Sequence, residues 1–71
     1  MKHGVRNSVK DYRQLRGFTQ DHLAELIEVT RQTIIAIEKQ RYEPSIGTAI
    51  KLAAVLGCPV ETLFWIEGDV L

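Results

Sequence analysis

The sequence predicts an all-α domain, a compact bundle of five short helices, and three observations support this prediction. Apolar residues recur at helical spacing through most of the chain. A serine, threonine or proline stands before each of these segments, and a glycine follows two of them. No segment shows the long apolar–polar alternation of a strand, but residues 5–9 and 63–67 are short enough to be helical or to form short paired strands near the two termini.

Start and end signals set the bounds of each predicted helix. Serine and threonine side chains can accept a hydrogen bond from a first helical turn, proline favours the first position, and glycine favours the end. The predicted helices span residues 9–16, 20–27, 31–39, 46–56 and 59–65, with caps Ser8, Thr19, Thr30 and Ser45, Pro59 starting the fifth, and ends at Gly17 and Gly57. The positions expected to face a common core are Val9, Tyr12, Leu15, Leu23, Ala24, Ile27, Ile34, Ile37, Ile46, Ala49, Leu52, Ala53 and Leu56.

Length and composition argue against several classes of protein. The 71 residues are expected to form a single domain, residues 1–71. The longest apolar run, residues 52–60, is too short to cross a membrane, and no signal-peptide pattern is present, so we expect a cytoplasmic protein. Cys58, His3 and His22 include no closely spaced pair of metal ligands. We therefore expect no metal, cofactor or small-molecule ligand, and no enzyme, because no nucleophile–base pair, paired carboxylates or phosphate loop is visible.

The charges are segregated along the chain although they sum to zero. Residues 1–16 carry five basic side chains against one acidic side chain, and residues 31–41 carry three against one. Such a distribution can give one basic face on a neutral molecule, and it equally fits ordinary solvated helix surfaces.

The second and third predicted helices are joined by only Glu28 and Val29. So short a connection forces a sharp crossing with close backbone contact, which explains the small Ala24 on the inner side of the second helix. This is the geometry of a helix-turn-helix, here residues 20–39.

The third predicted helix has two faces on a wheel of about 100° per residue. Ile34 and Ile37 point to the core. Arginine and glutamine can each make two hydrogen bonds to one base, and threonine can contact a thymine methyl, so the polar start of this helix suits the DNA major groove. The residues outside the core face are Thr30, Arg31, Gln32, Thr33, Ile35 and Ala36. Ile35 is expected to contact a thymine methyl or the DNA backbone, with simple exposure as the alternative.

The segments LRGFTQDHLAELIEVTRQTIIAIEKQRYEPS and AIKLAAVLGCPVETLFW contain many matches, in order, to one family. They include Gln20 at the start of the second helix, the TRQTI entry to the third helix, the YEPS loop, and LG before the fifth helix. From about Val5 to Trp65 the chain resembles the Cro/C1-type helix-turn-helix regulators, the XRE family. The resemblance implies a five-helix, lambda-repressor-like DNA-binding domain that regulates transcription, with repression as the expected effect and residues 31–39 in the major groove.

The resemblance also implies roles for single residues. Arg13 matches a position that often pairs with the residue matching Glu38, so a structural ion pair is expected there. The family usually has glycine at Glu28 and Gln40, in left-handed conformations that cost other residues roughly 1 kcal/mol. The expected base contacts are Arg31, Gln32, Ala36 and Ile35. The expected phosphate contacts are Gln20, Thr30, Thr33, Lys39, Arg41 and Tyr42.

The C-terminal segment, residues 60–71, has more apolar side chains than so small a domain needs. Leu63 and Phe64 can close the core, while the side chains after them pack on the N-terminal arm at Val5 and Val9, form a homodimer interface, or do both. The residues expected at that interface are Trp65, Ile66, Phe64 and Ile50. A two-fold dimer would place two recognition helices about 34 Å apart, so that they read palindromic operator DNA.

An antitoxin-like or adaptor module that binds protein on the same fold is the alternative function. The neutral total charge and Glu28 leave room for it, whereas Gln20, Arg31, Gln32 and Arg41 favour double-stranded DNA as the partner.

Overall fold

The computed structural model describes residues 3–68, with side chains from residue 4 onward, as five helices and a two-stranded sheet. The prediction of a mainly helical domain is therefore correct, and the short strand pairing near the termini that the sequence left open is present. None of the described helices is long and apolar enough to cross a membrane. The elements are β1 (His3–Asn7), α1 (Val9–Arg16), α2 (Gln20–Leu26), α3 (Arg31–Glu38), α4 (Ile46–Leu56), α5 (Val60–Leu63) and β2 (Phe64–Gly68).

The two segments whose structure the sequence left open pair as antiparallel strands. Asn7 lies opposite Phe64 and Val5 opposite Ile66, and the pairing starts where the Ser8 N–H donates to the Leu63 carbonyl at 3.0 Å. The fifth helix was expected to reach residue 65, but it ends at Leu63. The aromatic and β-branched residues that follow favour extended backbone once a partner strand is present, and only the fold supplies that partner.

Three of the four predicted hydroxyl caps are confirmed, each accepting a hydrogen bond from the N–H three residues later: Thr19, Thr30 and Ser45. The fourth, Ser8, is wrong, because its side chain makes no capping hydrogen bond. The Asn7 side chain takes that role, and its Oδ1 accepts from the Val9 N–H at 3.0 Å.

The core lies where the five helices meet and is closed by the start of β2. Two residues expected in it are not there: Leu15 is 77% exposed and Ile46 is 80% exposed. On the α1 wheel Leu15 lies about 120° from Val9, whereas Arg13 lies about 40° away and takes the inward position. Ile46 is in the first turn of α4, before the buried positions of that helix begin at Ala49. The fully buried side chains are Val9, Leu23, Ile27, Ile34, Ile37, Leu52, Leu56 and Leu63.

The helices α2 and α3 both end in a left-handed residue that is not glycine. Glu28 has φ 61° and Gln40 has φ 62°, so both residues adopt the left-handed conformation that glycine usually serves in the family that the sequence resembles. Around Glu28, its own N–H donates to the Glu25 carbonyl at 3.2 Å and the Val29 N–H donates to the Ala24 carbonyl at 2.9 Å. This double hydrogen bond is the Schellman arrangement, which turns the chain sharply into α3.

The two left-handed residues differ in what their side chains do. The Gln40 carboxamide binds the backbone of Asn7: Oε1 accepts from the Asn7 N–H at 3.1 Å and Nε2 donates to the Asn7 carbonyl at 3.1 Å. The Glu28 side chain is 82% exposed and makes one ion pair, with Lys51 at 3.5 Å. Gln40 thus offsets its backbone strain with partly buried hydrogen bonds, and Glu28 does so only weakly.

We expect Glu28→Gly and Gln40→Gly to change stability in opposite directions. Glycine relieves roughly 1 kcal/mol of left-handed strain at either position. At Glu28 the lost exposed ion pair contributes less than that, so the variant gains stability. At Gln40 the lost hydrogen bonds are worth about 1 kcal/mol each, so the variant loses stability. Urea unfolding of both variants measures this, and equal shifts would contradict the distinction.

Candidate nucleic-acid interface

The helix α3 is fixed by its buried face and presents the start of its other face to solvent. Ile34 and Ile37 are completely buried, while Arg31 and Gln32 in the first turn are exposed. The Thr30 side chain caps the helix by accepting from the Thr33 N–H at 3.2 Å. The hydroxyls of these two threonines also lie 3.1 Å apart, so the first turn is ordered by local contacts.

A buried ion pair holds the other end of α3 against α1. The Arg13 Nε lies 2.6 Å from Glu38 Oε2, and its second terminal nitrogen lies 3.2 Å from Oε1. Only 11% of the Arg13 side chain and 4% of the Glu38 side chain are exposed. The remaining terminal nitrogen of Arg13 donates to the Phe18 carbonyl at 2.9 Å. The ion pair expected from the resemblance is thus present, and both of its ends are well satisfied.

The same carboxylate orients Gln20 at the start of α2. The Gln20 Nε2 donates to Glu38 Oε1 at 3.1 Å. A carboxamide nitrogen carries two hydrogens, so this contact leaves the second N–H of Gln20 for another acceptor. Arg13, Glu38 and Gln20 therefore form one network that joins α1, α2 and α3.

An open depression of about 490 Å³ lies between the starts of α2 and α3. Arg31 on its rim is 3.9 Å from Asp21, and both side chains are mostly exposed. Arg13 is neutralised by Glu38, so Arg31 carries the cationic character of this depression. An exposed pair at this distance is weak, so Arg31 can exchange Asp21 for a stronger anionic or base partner. The residues that line the depression are Arg13, Thr19, Gln20, Asp21 and Arg31.

Beyond α3 the chain turns outward through Gln40. The Arg41 N–H donates to the Ala36 carbonyl at 3.0 Å, which completes a second Schellman arrangement. Lys39, Arg41 and Tyr42 are all exposed around this turn. The turn therefore presents two cations and one aromatic ring at the end of α3.

The other predicted site residues fall into two groups. On α3, Thr33, Ile35 and Ala36 are half-buried. Among the residues expected at a homodimer interface, Phe64 is buried in the core and the other three are exposed: Ile50, Trp65 and Ile66. Because side chains alternate along a strand, Trp65 and Ile66 lie on opposite faces of the sheet. The predicted dimerisation segment, residues 60–71, includes residues 69–71, which lie outside the described residues.

Sequence reasoning missed two residues that position this surface. Asn7 caps α1 and binds Gln40, and its Nδ2 also donates to the Ile37 carbonyl at 3.0 Å. The contacts with Ile37 and Gln40 join residues 30 or more positions apart, and periodicity and capping patterns report only local structure, so no signal in the sequence could have identified them. The contact with Val9 is local, and asparagine is a favoured capping residue, so the sequence did offer a signal for that cap.

The chain is similar to a set of known regulators. The sequence model of the helix-turn-helix family matches residues 9–63. An uncharacterised HTH-type transcriptional regulator of Methanocaldococcus jannaschii is 46% identical over 65 residues, which cover 92% of this chain and 98% of that protein. The uncharacterised HTH-type regulator YgzD of Bacillus subtilis is 41% identical over 65 residues, with the same shares covered.

A solved structure has the same fold. The crystal structure of the hypothetical transcription factor NHTF from Neisseria superposes with a TM-score of 0.70 at 26% identity. The match covers 76% of this chain and 61% of the NHTF chain, so the shared fold spans less than two thirds of that protein.

We expect Glu38→Gln to destabilise the protein by about 3 kcal/mol, because it leaves the buried Arg13 without its countercharge. The matched control is Asp21→Asn, which removes the acid of the exposed Arg31 pair and should cost less than about 0.5 kcal/mol. Urea unfolding measures both. Similar small losses in the two variants would mean that the buried pair does not stabilise the fold.

Proposed function

The chain belongs to the helix-turn-helix family of Cro/C1-type transcriptional regulators, and we propose that it represses transcription by binding palindromic operator DNA as a homodimer. Members of this family are regulators and not enzymes. The proposal assigns α3 to the major groove and the surrounding loops to the DNA backbone.

The observation that carries the proposal is the division of α3 into a buried and a presented side. Ile34 and Ile37 anchor the helix, so its first turn projects Arg31 and Gln32 away from the protein. Arg31 can bind guanine O6 and N7, and Gln32 can bind adenine N6 and N7. Ala36 and Ile35, one turn on, offer apolar contact to a thymine methyl.

Backbone contacts would fix the protein on the duplex from both ends of α3. At one end are Gln20, oriented by Glu38, and Thr30 with Thr33. At the other end are the exposed residues of the turn after α3, namely Lys39, Arg41 and Tyr42. Contacts of this kind give affinity and orientation, whereas the contacts of Arg31 and Gln32 would give sequence preference.

Arg31→Ala should weaken binding to the preferred site by roughly tenfold or more and relax the base preference at one position. Arg31→Lys keeps the positive charge but cannot make the two parallel hydrogen bonds of a guanidinium. It should therefore also relax the base preference while losing less affinity than Arg31→Ala. Arg41→Ala should weaken binding to all sequences alike and reduce the salt dependence by about one phosphate. Selection from a random DNA pool, followed by fluorescence anisotropy, measures these effects. If neither Arg31 variant changed the base preference, α3 would not be the element that recognises the DNA sequence.

The selected DNA also tests the homodimer. We expect two inverted half-sites whose centres lie about 10 base pairs apart, because two-fold symmetry in the protein requires it in the site. Sedimentation with the full site should give two protomers bound together, with no species that carries a single protomer. A single, asymmetric selected site bound by one protomer would contradict the homodimer but leave DNA binding intact.

A further inference from the structure

The outer edge of β2 has unpaired backbone groups. In an antiparallel pair, residues alternate between those that exchange hydrogen bonds with the partner strand and those whose N–H and C=O point away from it. The Ser8 N–H donates to the Leu63 carbonyl, so Trp65 opposite Arg6 is again a bonded pair. Ile66 therefore directs its N–H and C=O outward, and within residues 3–68 no third strand lies beside β2.

The corresponding edge of β1 is closed where it meets α3. Asn7 directs its backbone groups outward for the same reason, and the Gln40 carboxamide binds both of them. The carboxamide thus occupies the place that one residue of a neighbouring strand would take. The β1 edge is thus closed at Asn7, whereas no described residue closes the β2 edge at Ile66.

Ile66 also exposes apolar surface on the face of the sheet that covers the core. It lies on the same face as Phe64, which is buried, yet 44% of Ile66 is exposed. An open groove of about 230 Å³ begins beside it, lined by Val5, Pro44, Ile46, Ala49, Val60, Phe64 and Glu43. An isoleucine on an open strand edge favours association with another strand.

We propose that the homodimer forms by antiparallel pairing of β2 with β2 of a second copy, centred on Ile66 and giving a four-stranded sheet. This inference rests on the homodimer of the proposed function and specifies its surface and register. The two-fold axis passes between the two Ile66 residues, each of which donates its N–H to the carbonyl of the other.

The register follows from excluding its two neighbours. Two β2 strands can exchange hydrogen bonds only where the outward-directed N–H and C=O groups of one lie opposite those of the other. The two-fold axis (the dyad) can therefore pass only through residue 65, 66 or 67. A dyad at Trp65 has only the two Phe64–Ile66 pairs, and half of their hydrogen bonds would need the Phe64 N–H, which already donates to the Val60 carbonyl, whereas a dyad at Ile66 keeps both hydrogen bonds of its central pair. A dyad at Glu67 would set two like charges directly opposite each other, which is unfavourable.

The Ile66 register also matches side chains across the new interface. On the core side the row across the four strands is Val5, Ile66, Ile66 and Val5, which is entirely apolar. On the other side each Trp65 lies opposite a Glu67 of the second copy, and Glu67 already lies 3.6 Å from Arg6 of its own chain. A strand of the same sequence is therefore a complementary partner for this edge.

Cysteine cross-linking tests the surface and the register together, in a Cys58→Ser background that removes the native thiol. Ile66→Cys should form a disulfide-linked dimer under mild oxidation, because Cα atoms of a bonded antiparallel pair are about 5.5 Å apart, within disulfide range. Trp65→Cys and Glu67→Cys are the matched controls. In this register each is roughly 8 Å from its own counterpart, so both should cross-link at least about tenfold more slowly.

Faster cross-linking of either control would overturn the register. If Ile50→Cys cross-linked and Ile66→Cys did not, the dimer interface would lie on α4. That result would contradict the proposed β2 interface but would still support a homodimer. A wild-type protein that sediments as a monomer alone and on full-site DNA would overturn the homodimer itself. Binding to a half-site, read separately, would still support the DNA-binding function.

Ile66→Pro provides an independent measurement, because proline removes the outward N–H that β1 does not use. Sedimentation should show a monomer, while circular dichroism shows an unchanged helical fold. Ile66→Ala keeps the N–H and should retain more dimer than Ile66→Pro at the same concentration. A folded Ile66→Pro variant that dimerises like the wild type would overturn the strand pairing.

Discussion

The ion pair between Arg13 and Glu38 fixes how α2 and α3 sit on α1. It connects the middle of α1 to the last residue of α3, in a site where neither side chain is well hydrated. A buried ion pair is costly to desolvate, so its value lies in orientation as much as in stability. Here both carboxylate oxygens of Glu38 are used, and one of them also orients Gln20. The same group therefore sets the position of α3 and of a residue at the start of α2.

The second constraint is the pair of left-handed turns around α3. Each lets the backbone reverse within two residues, and each is adopted here by a residue with a side chain. At Gln40 that side chain links the end of α3 to Asn7 at the end of β1. The sheet and the end of α3 are thus joined by direct hydrogen bonds. Pairing through β2 would place a dimer contact one strand away from the end of α3. The arrangement of the two subunits would then be linked to the position of α3 through β1.

The electrostatic properties of the domain depend on individual charged groups and not on its net charge. The net charge is zero, and several basic groups are already engaged, Arg13 by Glu38 and Lys51 by Glu28. The cations that remain exposed near α3 are few, chiefly Arg31, Lys39 and Arg41. A protein of this kind is expected to bind random DNA weakly, because non-specific affinity comes mainly from phosphate neutralisation. In the function that we propose, base contacts and two-fold binding would supply the remaining affinity.

The sequence by itself determined the helices, three of their caps, and the buried and presented faces of α3. These features are local, since helical periodicity, capping and backbone conformation depend on residues within a few positions of one another. The resemblance to a known family supplied the ion pair of Arg13 with Glu38. Only the tertiary structure decided the rest. It assigned the terminal segments to strands by bringing them together, gave the capping of α1 to Asn7 instead of Ser8, and turned Leu15 and Ile46 outward. It also joined Gln40 to Asn7 across 33 positions, because such contacts form only when the fold brings distant residues within hydrogen-bonding distance.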